Sequence, residues 1–512
     1  MKILTAKQIR EIDRLSSTQF GIPGILLMEN AGMRVVEALQ KRFDAFEDLN
    51  IGIVCGKGNN GGDGFVVARQ LIQKGMAPAI FLLGREEDVS GDARINLDIL
   101  KSIGCAPTLI ADIEDWQQEK AVLFDADVVV DALLGTGLTK PATGLYAAVI
   151  ESLCDDFPRA EIVSVDLPSG LPADSAYPVG PGVKAHLTVT FTALKPCLVL
   201  FPNQEYAGDV VLADIGNPME LLDSPDLKLN MIAPEEFDSA IVMRPADSNK
   251  GDFGKVLVVG GSVGKSGAVA MTGRSAMRSG AGLVTVAAPE SVISIVATSM
   301  PELMTAVLAD DAKAIRGLLE GKSVVAIGPG LGTEPVTQKL VRKFLKESQV
   351  PTVVDADGLN AYSEYPAELR GESARPVIIT PHPGEMSRLA GKSIEFISAN
   401  RIEVAGNFAV ANNVYVVLKG FRTVVAVPDG SIYINVTGNP GMATGGTGDI
   451  LTGMIAGIVA QERFGSMIER ICLAVYLHGL AGDLAAEKLG EECLVATDIL
   501  QFLPAAFEKL RQ

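Results

Sequence analysis

The chain has 512 residues, with 44 Lys and Arg against 62 Asp and Glu, a formal net charge of −18. At roughly 150 residues per domain that length holds two to four domains. With 48% apolar and 21% charged residues the composition is globular, which excludes a disordered or fibrous chain. The acidic balance argues against nucleic acid and against an anionic membrane surface.

No apolar run approaches the ~20 residues of a spanning helix. The opening MKILTAKQIREIDRL turns to charge too early for a secretory signal. Six cysteines, none in a CxxC pair, read as free thiols in a reducing compartment, so a cytoplasmic protein is expected. Three histidines leave little room for a His-rich zinc site. Either a monomer or a homo-oligomer is compatible with this surface charge.

Short β-branched runs alternate with amphipathic stretches, the pattern of parallel α/β units. Helices are expected over about Lys7–Gln19 and Glu29–Phe43. Strands are expected at Ile51–Cys55, Ala79–Leu83, Val128–Asp131, Ile162–Asp166, Leu187–Phe191 and Val210–Ala213. The alternation stops in the Pro-, Gly- and Asp-rich stretch Gly216–Asp226, where a domain boundary is expected. It resumes at Lys255–Val259, Leu283–Ala287, Val324–Ile327, Thr352–Asp355, Val377–Thr380 and Val414–Leu418. Two α/β domains are therefore expected, over residues 1–218 and 228–512. No repeat points to a solenoid.

IGIVCGKGNNGGDGFVVARQLIQKG reads as strand, glycine-rich loop and helix, with Phe65, Ala68 and Ile72 at helical spacing and Gly75 closing it. Its glycines would let backbone N–H groups meet an anion at a helix N-terminus. It fits neither GxGxxG nor GxxxxGK[ST], and a tight turn without a ligand stays open. VVVDALLGTGLTKP and VSVDLPSG place Asp131 and Asp166 at strand ends, where doubly wound sheets bind ligands. Asn60, Asp131 and Ser169 could converge as hard oxygen donors for a cation, with Asp166 as a base. The alternative is that each Asp only caps the next helix or turn.

NNGGDG, VDALLGTGL, VDLPSG and FTALKP, in this order, resemble the NAD(P)H-hydrate epimerase domain over about residues 1–215. The resemblance implies that Asn59, Asn60, Gly61, Gly62 and Asp63 hold the hydrated nicotinamide nucleotide. It gives the same role to Gly135, Thr136, Gly137, Leu138, Thr139, Lys140 and Pro141. It further implies that Asn60, Asp131 and Ser169 bind K⁺ and that Asp166 contacts the substrate. Epimerisation at C6 requires the ring to open or dehydrate reversibly, which suits an Asp that shuttles a proton.

In the second half, GGSVGKSG (260–267) carries GKS, but a P-loop would need glycine at Val259. It is read as a glycine-rich turn. NVTGNPGMATGGTGDILTGMIAG places Gly445, Gly446 and Gly448 before a helix opening near Asp449. Its amides would receive a transferring phosphoryl group, and Asp449 would take a hydroxyl proton. A helix-packing turn capped by Asp449 is the alternative. VVLKGFRTVVAVPDG puts Lys419 and Thr423 on a strand–turn–strand that could meet a nucleotide or be a bare surface hairpin.

GGTGD resembles the ribokinase-like superfamily. GPGLG, VDADGLN, TPHPGE, LKGFRT and GNPGMATGGTGDILTG together resemble NAD(P)H-hydrate dehydratase over about residues 230–508. That resemblance implies that Ala268, Gly330, His382 and Asp449 meet the hydrate. Lys419, Gly420, Phe421, Arg422, Thr423 and Gly448 would meet the nucleotide. Vitamin kinases of the superfamily usually carry Asn where His382 stands, and keep the counterpart of Glu385 near magnesium.

The fold class implied is α/β, with a Rossmann-like doubly wound sheet followed by a ribokinase-like domain. The function implied is repair of NADHX and NADPHX, with Mg²⁺, K⁺ and ADP, or ATP in its place, and neither nucleic acid nor membrane as partner. Fusions in this order resemble the ADP-dependent class. The principal rival is a vitamin- or sugar-alcohol kinase with a non-catalytic N-terminal binding module. An NAD(P)H-dependent redox enzyme is disfavoured by the missing GxGxxG.

Overall fold

The computed structural model describes residues 1–237 and 244–511. The chain folds as two compact units, Lys2–Leu227 and Lys228–Gln512. Among the described residues no helix is long and apolar enough to cross a membrane.

The first unit opens with α1 (Ala6–Phe20), where Thr5 and Gln8 form a capping box and Gly21 (φ 70°) ends the helix. α2 spans Gly24–Arg42 and so begins well before the expected Glu29. Leu26 and Leu27 carry no polar capping signal, and the start is set by the extended backbone of Pro23. Seven strands follow: β1 (Ile51–Cys55), β2 (Ala79–Leu83), β3 (Thr108–Ile110), β4 (Val128–Ala132), β5 (Glu161–Val165), β6 (Leu187–Phe191) and β7 (Asp209–Ala213). They form one parallel sheet in the order β3-β2-β1-β4-β5-β6-β7. β3 escapes the sequence pattern because this short edge strand exposes two of its three residues.

Alternate residues of a strand feed opposite faces. Ile53 and Val130 join Leu39 and Phe65 on one side. Val54 and Val129 join Phe81 and Trp116 on the other. The strand order reverses between β1 and β4, and their carboxyl ends mark the place for a ligand. The helix after β1, α3 (Asn59–Gln73), begins at Asn59, so most of the expected loop is already helical.

The second unit has β8 (Leu229–Met231), β9 (Lys255–Val259), β10 (Leu283–Ala288), β11 (Met304–Val307), β12 (Val324–Ile327), β13 (Thr352–Val354), β14 (Val377–Ile379), β15 (Tyr415–Leu418), β16 (Val424–Ala426) and β17 (Ile432–Ile434). Their order is β11-β10-β9-β12-β13-β14-β15-β16-β17-β8, parallel except where β16 pairs with β15 and β17. Four helices bear on function: α4 (Ser266–Arg278), α5 (Pro383–Ala390), α6 (Thr447–Val459) and α7 (Met467–Leu489). α6 is buried from Ile450 to Val459. A Cβ on Gly453 would lie 2.1 Å from Thr272 O, and one on Gly457 2.5 Å from Ala276 O. Glycine there lets the α6 backbone rest on α4, which fixes where the N-terminus of α6 points.

Candidate active sites

At the β1/β4 switch point the first unit holds a cleft of ≈ 830 Å³ lined by Asp13, Asn60, Asp63, Gly135, Asp166 and Lys195, among others. Asn59 and the stretch Thr136–Lys140 also line it, while Pro141 lies next to Gly180. Gly61 and Gly62 face inward. A Cβ on Gly61 would meet Gly56 O at 1.7 Å, and one on Gly62 would meet Met28 Sδ at 2.6 Å. These two glycines seat α3 against β1 and α2, a packing role that glycine spacing alone does not reveal.

Asp131 is the penultimate residue of β4 and is fully buried. Its Oδ2 accepts from Ser164 Oγ (2.8 Å) and Ser169 N (2.8 Å), and its Oδ1 from Ser169 Oγ (2.5 Å) and Leu133 N (3.3 Å). Burial raises its pKa, and these donors oppose the rise. Asn60 Oδ1 lies beside Gly135, while its buried Nδ2 has no hydrogen-bond partner among the described residues. Ser169 Oγ also lies 3.2 Å from Leu134 O. Asn60 and Ser169 thus flank one backbone segment, with Asp131 behind it.

Asp166 follows β5 with φ 64°, a left-handed conformation that costs a non-glycine residue about 1 kcal/mol or more. Its Oδ1 takes Lys195 Nζ at 2.5 Å and Thr190 Oγ1 at 3.2 Å. Lys195 is itself buried and also donates to Phe191 O at 2.9 Å. The Asp166 carboxylate is thereby held at the cleft wall by a cation that the sequence left unassigned. The signal was present, since Lys195 belongs to FTALKP. Asp63 and Asp13 share this cleft, and burial raises the pKa of both.

In the second unit the named residues gather at the carboxyl ends of β9, β12, β13, β14 and β15, and at the N-terminus of α6. Asp449 lies in the first turn of α6, where Gly446 (φ 97°) is the N-cap. Its pKa is pushed up to about 7, by burial first and then by Asp355, against the opposing pull of Lys419. Lys419 leaves β15 pointing inward, with Nζ 2.7 Å from Asp355 Oδ1 and 3.8 Å from Glu385 Oε2. Thr452 Oγ1 donates to Asp355 Oδ2 at 2.6 Å. A Cβ on Gly448 would sit 3.2 Å from Lys419 Nζ. The ammonium expected to cradle a phosphate is therefore engaged with a buried carboxylate beneath the glycine turn. Asp355 and Thr452 went unassigned from sequence, although both stand in quoted motifs.

His382 caps α5. Its Nδ1 accepts from Gly384 N (3.0 Å) and Glu385 N (3.3 Å), and its Nε2 lies 3.4 Å from Glu385 Oε1. Burial lowers its pKa, with Lys419 and Arg388 adding to the effect. A neutral imidazole carrying its proton on Nε2 fits these contacts. Thr272 Oγ1 lies 2.9 Å from Ala268 O and 3.2 Å from Asp449 O, tying α4 to the start of α6. Gly330 has φ 69°, and a Cβ there would meet Lys265 O at 2.6 Å. In the 419–423 turn Arg401 Nη2 donates to Leu418 O (3.0 Å) and Nη1 to Phe421 O, and Thr423 Oγ1 to Gly420 O (3.1 Å). Phe421 is exposed, and Arg422 Nη1 donates to Val436 O at 2.6 Å. His478 on α7, also unassigned from sequence, is buried with Nε2 3.1 Å from Thr447 O.

Fold and sites define a two-domain α/β enzyme, each unit presenting carboxylates at strand ends beside a glycine-rich helix start. The family described as NAD(P)H-hydrate dehydratase matches residues 256–505, and YjeF-related protein N-terminus matches residues 25–197. The bifunctional NAD(P)H-hydrate repair enzyme Nnr of Moorella thermoacetica is 43% identical over 522 residues, covering 100% of this chain and 98% of its own. That of Escherichia coli K12 is 34% identical, covering 97% of this chain and 92% of its own. The crystal structure of the Bacillus subtilis ADP/ATP-dependent NAD(P)H-hydrate dehydratase, co-crystallised with ATP/Mg²⁺, superposes with a TM-score of 0.50 at 33% identity. It covers 55% of this chain and 98% of that one. The chain belongs to the bifunctional NAD(P)H-hydrate repair enzyme family, and its second domain has the ribokinase-like fold.

Proposed function

We propose that the first unit interconverts the R and S epimers of NADHX and NADPHX, and that the second dehydrates the S epimer with ADP as phosphoryl donor. The placement of Asp449 carries this reading. Its carboxyl stands at the amides of a helix start, takes part in no hydrogen bond among the described residues, and titrates near neutrality. A general base works best with a pKa near the operating pH.

Asp449 accepts the proton of the C6 hydroxyl as the phosphoryl group moves to that oxygen, and the first-turn amides of α6 face the charge that develops. The phosphorylated oxygen then leaves C6 and a proton leaves C5, which restores the ring double bond. Ala268, Gly330 and His382 hold the hydrate. The 419–423 turn and Gly448 hold the nucleotide. Among the described residues no group of three or more His, Cys, Asp and Glu is arranged to hold a metal ion. Asp355 is already committed to Lys419 and Thr452. This donor set fits Mg²⁺ that arrives on the nucleotide phosphates, with Glu385 as the carboxylate beside it. When bound, Mg²⁺ neutralises phosphate charge.

In the first unit Asp166 is assigned as a base that contacts the substrate. Asn60, Asp131 and Ser169 offer the hard oxygens that suit K⁺. The enzyme is assigned to the cytoplasm. The test is recovery of nicotinamide absorbance from mixed R- and S-NADHX with Mg²⁺ plus ADP, plus ATP, or with neither, beside an Asp449→Ala control. Full recovery with ADP, lost in the variant, is expected. No recovery with either nucleotide overturns the reading.

A further inference from the structure

Asp13, Asp63, Asp166 and Lys195 are among the residues that line the cleft of the first unit, and they are not held alike. Asp166 has the Lys195 ammonium at 2.5 Å. Asp13 accepts from Asn217 Nδ2 at 3.1 Å. Asp63, on the first turns of α3, is 9% exposed, and among the described residues its carboxyl takes part in no hydrogen bond or ion pair. It nonetheless borders the open volume of the cleft. Asp131 makes the contrast plain, because that buried carboxylate takes four donors. A buried carboxylate without donors is costly, whereas the same group as a neutral acid is tolerated and has a proton to give. The groups facing Asp63 are Asp166 and Asp13, which favour the neutral form, the Lys195 ammonium, which opposes it, and the Cys55 thiol behind it.

We infer that Asp63 is a catalytic residue of the epimerase site, the proton donor that works opposite the Asp166 carboxylate. A buried carboxyl without donors and a second carboxyl bonded to an ammonium, both lining one cleft, suit the two halves of an acid/base pair. The inference rests on the epimerase reading above and adds the reaction's proton inventory. Asp166 takes the proton of the C6 hydroxyl, C6=O forms, the C6–N1 bond breaks, and N1 receives the Asp63 proton. Rotation about C5–C6 turns the aldehyde over. N1 then attacks C6 from the other side, returning its proton to Asp63 while Asp166 returns one to the oxygen. Atoms and charges balance, and both carboxyls end as they began. Loss and re-addition of water would instead end with Asp63 ionised in its donor-free pocket and Asp166 protonated beside Lys195, the arrangement that the contacts disfavour.

The test uses the full chain, where the second unit reports on the first. With Mg²⁺ and ADP, Asp63→Asn is expected to recover the S fraction of mixed NADHX at the wild-type rate. Recovery of the R fraction should fall by about 10²–10⁴-fold, toward spontaneous epimerisation. Asp63→Glu should restore part of it. An infrared difference spectrum, wild type minus Asp63→Asn at neutral pH, should carry a protonated-carboxyl C=O band, and this readout needs no turnover. Wild-type recovery of R with an equally active Asp63→Asn overturns the inference, and so does absence of that band. If the wild type itself cannot recover R, the epimerase reading fails instead.

Discussion

Both units place a lysine on an aspartate at a strand end, Lys195 on Asp166 (2.5 Å) and Lys419 on Asp355 (2.7 Å), yet the two pairs are used differently. The Asp166 side chain is 14% exposed and lines the cleft, so the lysine holds a carboxylate that a ligand can reach. The Asp355 side chain is 1% exposed and also held by Thr452, which leaves it nothing to offer a substrate. Its charge acts on the neighbour, being the second cause, after burial, of the raised pKa of Asp449. A buried ion pair is therefore no mark of the reacting group. Access decides, and in the second unit the carboxyl proposed to react is the one without a cation bonded to it.

The largest effect should come from removing each proposed base. Asp449→Ala should lower ADP-dependent recovery of S-NADHX by about 10²–10⁴-fold and leave epimerisation intact. Asp166→Asn should do the reverse. Separate assays of the two epimers check this, and the comparison breaks if either variant loses both activities.

Next come the lysines. Lys419→Met leaves Asp355 buried and unpaired, a change that costs about 3–5 kcal/mol. Lys195→Met should cost less, because Asp166 borders the cleft and can be hydrated. Urea unfolding of the two variants measures the difference. Equal losses would show that the greater access of Asp166 has no energetic meaning.

The pH dependence sharpens the contrast further. Asp449 titrates at about 7, so kcat/KM for dehydration should rise as pH passes through that value. Stability should move the other way. A folded-state pKa above the unfolded value means that the native state holds the proton more tightly. Stability therefore falls as pH rises from about 4 toward 7, and the loss is complete above 7. Asp449→Asn should raise Tm above pH 7 and leave it nearly unchanged at pH 4. Melting curves at the two pH values check this, and a flat Tm difference between variant and wild type sinks it.

These pairs also show what the sequence could and could not reveal. Strands such as Ile51–Cys55 and Val128–Ala132 are legible because both faces are buried and β-branched residues dominate the run. Short strands that expose residues, such as β3 and β11, leave no such run. Asp131, Asp166 and Asp449 stand out at strand ends and a helix start. Asp355 also stands at a strand end, but its part and that of Lys195 come from side chains meeting across 64 and 29 residues of chain, which a linear reading does not show. The mixed glycine signal has the same cause, because a turn glycine and a packing glycine look alike in one dimension.

That ambiguity leads to the smallest effect. Gly58, before α3, and Gly445, before α6, have nothing within 4 Å of an added Cβ, and neither has a positive φ. Alanine at either position should change stability by no more than about 0.5 kcal/mol. Gly61→Ala, by contrast, forces a Cβ into Gly56 O and should destabilise the first unit severely. If the open sides of these two turns are where ligands approach, Gly58→Ala should raise KM for the R epimer and Gly445→Ala should raise KM for ADP, each with kcat and Tm nearly unchanged. An unchanged KM would assign these glycines to chain geometry alone, and leave the α3 and α6 helix starts as the only ligand-facing part of either turn.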